Sequence, residues 1–127
     1  MMNLFFEMEN DFRTSIQEGE NETQMMLEAV RAIDIAICSG RIVVREMKGT
    51  RGEYVYAFDP KTGDFMVALA RNYYLFYSTC LAKTLYWKAL RSLGRASREI
   101  LELLHELEVN SREDARTCVL RRRGQCN

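Results

Sequence analysis

Two short apolar runs flank a polar turn between residues 54 and 69, where the chain reads YVYAF, DPKTGD and FMVAL. Pro60 presets φ for the first central turn position, and the carboxylate of Asp59 can accept hydrogen bonds from turn amides. Gly63 can adopt the positive φ that closes a four-residue loop. The pattern therefore predicts a β-hairpin in which Asp59 pairs with Asp64.

This turn also predicts the register of the hairpin and the character of its two faces. The predicted partners are Tyr54 with Leu69, Tyr56 with Val67, and Phe58 with Phe65. Side chains alternate along a strand, so these six residues share one bulky, aromatic face. The other face is small but still apolar and carries Val55, Ala57, Met66 and Ala68. A slip of one residue would exchange the two faces, so the turn is a strong constraint.

Apolar residues at helical spacing precede and follow the hairpin. They recur every three or four positions, and Gly19, Gly40 and Gly94 stand where helices would end. Helices are predicted over residues 3–18, from a cap at Asn21 or Thr23 to residue 39, over residues 72–93, from a cap at Ser97 to residue 108, and over residues 111–121. Strands are predicted over residues 41–47, 53–58 and 64–70. This order predicts an α+β fold in which a three-stranded antiparallel meander packs with N-terminal and C-terminal helices.

The bulk composition fits one folded domain over residues 1–127. Apolar residues make up 47% of the chain and charged residues 28%, which is ordinary for a globular protein and argues against disorder. A single proline and the lack of an internal repeat give no sign of a linker between domains. A mobile basic tail is expected over residues 121–127.

The predicted helix over residues 72–93 is apolar on nearly every side, with charge only at Lys83, Lys88 and Arg91. Such a helix is either central to the core or shared with a partner. In a domain this small, we expect part of its surface to meet another subunit or protein. The residues assigned to this interface are Tyr73, Phe76, Tyr77, Trp87 and Leu90. The sequence thus predicts a small non-enzymatic interaction or regulatory module, assembled as a homodimer or with another protein.

Charge is balanced overall but unevenly distributed along the chain. Residues 1–39 carry eight acidic and two basic side chains, whereas residues 71–127 carry eleven basic and six acidic ones. This asymmetry favours pairing between the two ends of the chain or a head-to-tail contact with a partner. A nucleic-acid-binding protein more often has a clear excess of basic residues.

Nucleic-acid binding is the alternative function. The aromatic hairpin face could present Tyr54 and Tyr56 as a platform on which bases stack. Phosphate contacts would come from arginines of the first strand, the following turn and the C-terminal tail: Arg41, Arg45, Arg51, Arg121, Arg122 and Arg123. The competing interpretation is that helices bury the aromatic face as core.

Part of the hairpin resembles a known DNA-binding family. Residues 51–56 (RGEYVY), 59–63 (DPKTG) and 69–71 (LAR) are similar to the three-stranded arm-type DNA-binding domain of phage tyrosine recombinases. The resemblance covers about twenty residues and implies a three-stranded sheet followed by a helix, with a DNA-binding role. The element order also occurs in double-stranded-RNA-binding domains, although residues 72–75 (NYYL) replace the lysine-rich start of their last helix.

Candidate catalytic chemistry is sparse. His105 is the only histidine, and no nucleophile or carboxylate is placed against it by spacing. Glu99, Glu102 and Glu106 share one helical side, which is more typical of a solvated face than of a metal site. Phosphate-binding and dinucleotide-binding glycine patterns are missing, as is H-E-x-x-H. No enzyme, catalytic residue, metal site or cofactor is predicted.

The four cysteines and the N-terminus favour a reducing, intracellular location. Cys38 and Cys80 lie in apolar stretches and are predicted to be small core residues, while Cys118 and Cys126 lie near the basic end. Acidic residues occupy the region where a secretory signal would be positively charged. The longest uncharged run, residues 72–82, is too short to span a bilayer. A cytoplasmic or otherwise intracellular protein without a membrane partner is expected.

Overall fold

Four helices and three strands make up the described part of the chain. The computed structural model describes residues 4–49, 52–70 and 76–109. The elements are α1 (Leu4–Gln17), α2 (Glu22–Cys38), β1 (Val43–Gly49), β2 (Gly52–Phe58), β3 (Phe65–Leu69), α3 (Tyr77–Ser92) and α4 (98–109). The three strands form one antiparallel sheet in the order β1-β2-β3, so the predicted α+β class and meander are confirmed.

The hairpin between β2 and β3 has the predicted turn and register. The amide of Asp59 donates to the carbonyl of Asp64 at 2.8 Å, and the amide of Gly63 donates to the carbonyl of Asp59 at 2.8 Å. A side-chain oxygen of Asp59 also accepts from the amide of Lys61 at 2.8 Å. The predicted pairs across the turn are all present, including Phe58 with Phe65. A local turn motif therefore sets the register of the whole hairpin.

Gly63 offers a direct test of this turn. Its φ is +77°, a left-handed conformation that an L-residue with a Cβ adopts at a cost of about 1–2 kcal/mol. We expect Gly63→Ala to lower the free energy of unfolding by about that amount, measured by urea denaturation. Lys61→Ala, at an exposed position of the same turn, is the matched control and should change stability by less than about 0.5 kcal/mol. Equal losses in both variants would contradict this account.

Helices cover both faces of the sheet. The small face, through Ala57, Met66 and Ala68, belongs to a core shared with α1, α2 and α3. The aromatic face forms a second cluster, in which Tyr54 and Tyr56 pack with other hairpin residues and with Leu107 of α4. Helices α1, α2 and α3 therefore pack on the small face, and α4 packs on the bulky face.

Strand β1 begins two residues later than predicted because the chain is still tied to the end of α2. The amides of Arg41 and Ile42 donate to the carbonyl of Ala36 at 2.8 and 3.1 Å, and Gly40 takes a φ of +78°. Backbone donors that close the end of a helix cannot also join a strand ladder. Extended pairing therefore starts at Val43, after Ile42 has been buried.

Helix α3 begins at Tyr77 rather than near residue 72. Phe76 precedes it as the N-cap with extended backbone angles, so the helix does not continue through this residue. Residues 71–75, where the earlier start was predicted, lie outside the described part, as does the predicted helix over residues 111–121. The other caps agree with prediction: Asn21 accepts from the amide of Gln24 at 3.1 Å, and Ser97 from that of Ile100 at 3.3 Å.

Strand β3 lies at one edge of the sheet. Hydrogen-bonded and non-bonded pairs alternate along an antiparallel ladder, and Ala70 donates to Glu53 at 3.3 Å just past the strand. Because Ala70 is bonded to β2, the backbone groups of alternate residues before it, Leu69, Val67 and Phe65, point away from β2. Glu108 of α4 lines a hollow together with Phe65 and Val67 of this strand, and it forms an ion pair with Arg91 of α3 at 2.9 Å. The pair joins helices from opposite faces around the edge.

Candidate interaction surfaces

Helix α3 is central to the core for most of its length. Its buried positions, among 16 helical residues, are Ser78, Cys80, Leu81, Ala82, Thr84, Leu85 and Ala89. The Thr84 hydroxyl donates to the carbonyl of Cys80 at 3.0 Å, which satisfies a polar group inside this apolar layer. Tyr86 meets Phe12 of α1 edge to face, with ring centroids 5.7 Å apart. The neighbouring helices therefore bury most of the apolar surface of α3, whose extent was the reason for predicting a protein interface there.

The N-terminal end of α3 is the part that stays open. Phe76 is 80% exposed and Tyr77 is 39% exposed. The Tyr77 hydroxyl donates to a carboxylate oxygen of Glu46 on β1, and this hydrogen bond is the main cause that raises the pKa of Tyr77 above its ordinary value. Tyr73, the first residue assigned to the predicted interface, lies outside the described residues. The open end of α3 is therefore an aromatic pair beside an acidic strand residue.

The remaining two interface candidates lie further along the same outward side of α3. Trp87 and Leu90 are both half-buried. The ammonium of Lys83 lies 5.9 Å from the centroid of the Trp87 ring, within the range of a cation–π contact. Phe76, Lys83, Trp87 and Leu90 are spaced by seven, four and three residues, so they form one stripe, which we call the α3 stripe.

The aromatic hairpin face is closed at the positions assigned to base stacking. Tyr54 and Tyr56 are each only 2% exposed. Tyr56 lies between Phe58 and Phe65, with ring centroids 5.4 and 5.3 Å away. Packing among these rings and against α4 leaves neither tyrosine a free face, so bases cannot stack on them in this conformation.

The arginines assigned to phosphate contacts are not gathered into a basic surface within the described residues. Arg45 is exposed, and its guanidinium donates to the carbonyl of Val44 at 3.0 Å. Arg41 lines a hollow of about 370 Å³ together with Glu7 and Asp59, so its surroundings are mixed in charge. Arg51, Arg121, Arg122 and Arg123 lie outside the described residues.

A groove between α1 and α2 was not predicted from the sequence. It has a volume of about 230 Å³ and an apolar floor that includes Met8, Phe12 and Met25. Asp11 and Glu28, one from each helix, bring carboxylates to its lining, and both residues are exposed. The expected apolar stripes of the two helices face α3 and the sheet, but they do not fill the space between α1 and α2. We call this feature the α1–α2 groove.

A second hollow, of about 280 Å³, runs beside the open edge of β3. Its lining includes Phe65, Val67 and Leu107, with Lys88 from α3 and Glu108 from α4. Burial lowers the pKa of Lys88, and the negative charges of Glu108 and of Glu9 on α1 oppose that shift. Lys88 therefore connects the end of α4 electrostatically with α1.

The histidine and glutamates of α4 that were considered for catalysis or metal binding lie at the surface. His105 is exposed on α4, and so are Glu99 and Glu102. Glu102 pairs with Arg98 at 3.4 Å on the exposed side of the helix, as the solvated-face interpretation predicts. Within residues 4–49, 52–70 and 76–109, no group of three His, Cys, Asp or Glu side chains could hold a metal ion.

The two cysteines within the described residues differ in burial. Cys80 is buried as predicted, and desolvation is the main cause that raises the pKa of its thiol. The prediction for Cys38 was wrong, because its side chain is exposed at the end of α2. The stretch around Cys38 is apolar, but Ile33 and Ala36 occupy the inward positions of that turn instead.

No protein-family model, curated protein or solved structure matches the chain. Among the described residues, no helix combines the length and apolarity needed to cross a membrane. The candidate surfaces consequently rest on the geometry of this chain alone. They are the α3 stripe, the α1–α2 groove and the hollow beside β3.

Proposed function

We propose that this protein is a non-catalytic interaction module that associates with a second copy of itself through the α3 stripe. The observation that supports this proposal most directly is the 80% exposure of Phe76, a large aromatic side chain at the start of a mostly buried helix. Half-buried Trp87 and Leu90 extend the apolar surface along the same side. Aromatic residues of this kind are enriched at the energetic centres of protein interfaces.

The geometry also limits the strength of this association. A stable interface buries about 800 Å² on each partner, and one helical stripe of four side chains supplies only part of that area. In a two-fold contact between antiparallel α3 helices, Lys83 would lie near the axis, because it is midway between Phe76 and Leu90. The two like charges repel, so we expect a weak dimer that strengthens as salt screens this repulsion.

Phe76→Asp tests the interface without harming the helix. Phe76 occupies the N-cap of α3 and makes no side-chain cap hydrogen bond, whereas aspartate is among the preferred N-cap residues. We expect sedimentation velocity between about 1 and 100 µM, the range suited to weak association, to show the wild type shifting towards the dimer. The Phe76→Asp chain should stay monomeric with unchanged or higher thermal stability.

Leu27→Asp is the matched control, since Leu27 is another exposed apolar residue but lies on α2. It should dimerise like the wild type. A strictly monomeric wild type would refute self-association, and a Phe76→Asp chain that still dimerises would refute the α3 stripe as its site. Binding of another protein by a monomeric chain would also count against the homodimer.

A further inference from the structure

The α1–α2 groove combines an apolar floor with a strongly acidic setting. Residues 4–39 carry eight acidic and two basic side chains, a net charge of −6. Asp11 and Glu28 place two of the carboxylates in the groove lining, on opposite helices. Such a surface suits a segment that presents apolar side chains next to several cationic ones.

The chain itself contains a segment of this chemistry. Residues 110–127, which follow the last described residue, carry five arginines and two acidic residues. Within them Val119 and Leu120 directly precede Arg121, Arg122 and Arg123. We propose that residues 115–123 dock in the α1–α2 groove of the same molecule, with Val119 and Leu120 on its floor and the arginines facing Asp11 and Glu28.

The end of α4 lies close enough for this docking to occur within one molecule. Glu108 forms an ion pair with Arg91 of α3 at 2.9 Å, and the negative charges of both Glu108 and Glu9 of α1 act on the ammonium of Lys88. Glu9 is the sequence neighbour of Met8, which lines the groove. In an extended conformation, rather than the helix predicted over residues 111–121, the nine residues from Asn110 to Cys118 can span up to about 30 Å, roughly twice the radius of gyration expected for a domain of this length.

Docking within the molecule is also favoured over docking in a second copy. A short connecting segment gives the tail an effective concentration in the millimolar range at the groove, far above micromolar protein concentrations. The proposal accounts for the opposite charges of the two ends of the chain. It is independent of dimerisation through the α3 stripe, which uses other residues and has the opposite salt dependence.

Disulfide trapping in the full-length chain tests this docking. Ala32→Cys places a thiol in the groove lining, where the proposed docking would bring Cys118, in a background that carries Cys38→Ser and Cys126→Ser. Leu27→Cys, exposed and not part of the groove lining, is the matched control. With oxidised glutathione as oxidant, we expect an intramolecular disulfide at Ala32→Cys to form about tenfold faster than at Leu27→Cys. Raising the salt to 1 M should remove most of this difference, because the Debye length falls to about 3 Å.

Charge reversal provides a second measurement. The combined change Arg121→Glu, Arg122→Glu and Arg123→Glu should abolish the rate advantage of Ala32→Cys, and adding Asp11→Lys with Glu28→Lys should restore it. All these groove positions are exposed, so the fold should tolerate the changes, and circular dichroism checks this. Hydrogen exchange on the wild-type chain should also show protection of residues 115–123 that is lost at 1 M salt.

Three outcomes would overturn the proposal. Equal trapping rates at Ala32→Cys and Leu27→Cys would mean that the tail does not select the groove. Disulfides formed only between molecules would assign the groove to the tail of a second copy. A rate of disulfide formation at Ala32→Cys that does not change on charge reversal would show that the ionic contact in the proposal does not exist.

Discussion

Tyr54→Ala is expected to lower the free energy of unfolding by about 3–5 kcal/mol, the range for truncating a large buried aromatic side chain. The residue is 2% exposed and packs in the cluster that α4 closes through Leu107. Few packing rearrangements could refill the cavity, because the flanking strands are fixed by their ladder bonds. A loss of this size is a large fraction of the 5–15 kcal/mol typical of a domain, and urea denaturation would measure it.

Phe65→Ala is the comparison for this prediction. Phe65 lies on the same face of the hairpin but is 40% exposed, so its truncation should cost clearly less than that of Tyr54. The experiment also decides between the two interpretations of the aromatic face. If Tyr54→Ala together with Tyr56→Ala left the urea midpoint unchanged and reduced salt-sensitive nucleic-acid binding, the rings would be a binding platform rather than core.

Leu85→Ala should produce the second large effect, a loss of about 2–5 kcal/mol in the free energy of unfolding. Leu85 is 1% exposed in the middle of α3, where the helix packs with α1 and α2 beneath the sheet. Phe76→Ala, on the same helix but exposed, should change monomer stability by less than about 0.5 kcal/mol. Thermal and urea unfolding at low protein concentration would measure both values.

The contrast between these two substitutions separates a core helix from an interface helix. If α3 were shared mainly with a second subunit, Leu85→Ala would weaken association more than it weakens the folded monomer. Comparable losses from Leu85→Ala and Phe76→Ala in the monomer would contradict the burial pattern of α3.

Local rules explain why the hairpin was predictable. The turn between Asp59 and Asp64 uses residues whose conformational preferences act over a few positions, so its register follows from sequence alone. The caps at Asn21 and Ser97 are local in the same sense. The start of β1 was misplaced because the four backbone amides of residues 39–42, which follow α2, donate to carbonyls of that helix. Whether these amides bond to the helix or to a neighbouring strand depends on three-dimensional geometry, which the spacing of apolar residues does not predict.

The interaction surfaces were less predictable because they depend on which helix covers which face. The apolar character of α3 was plain from the sequence, but the sequence did not reveal that α1 and α2 would bury most of it. Burial of Tyr54 and Tyr56 depends on α4, whose approach to the sheet is a long-range contact. The α1–α2 groove arises from the spacing of two helices, each of which has an ordinary amphipathic pattern.

The ion pair between Arg91 and Glu108 has a consequence for partial unfolding. Both side chains are about one-third exposed, so the pair itself contributes at most about 1 kcal/mol. Detachment of α4 would break it and would uncover the aromatic face next to the already open edge of β3. Strand β3 is uncharged and contains no proline, which is the composition of an aggregation-prone segment. The burial of Leu104 and Leu107 therefore sets the local barrier to aggregation as well as part of the global stability.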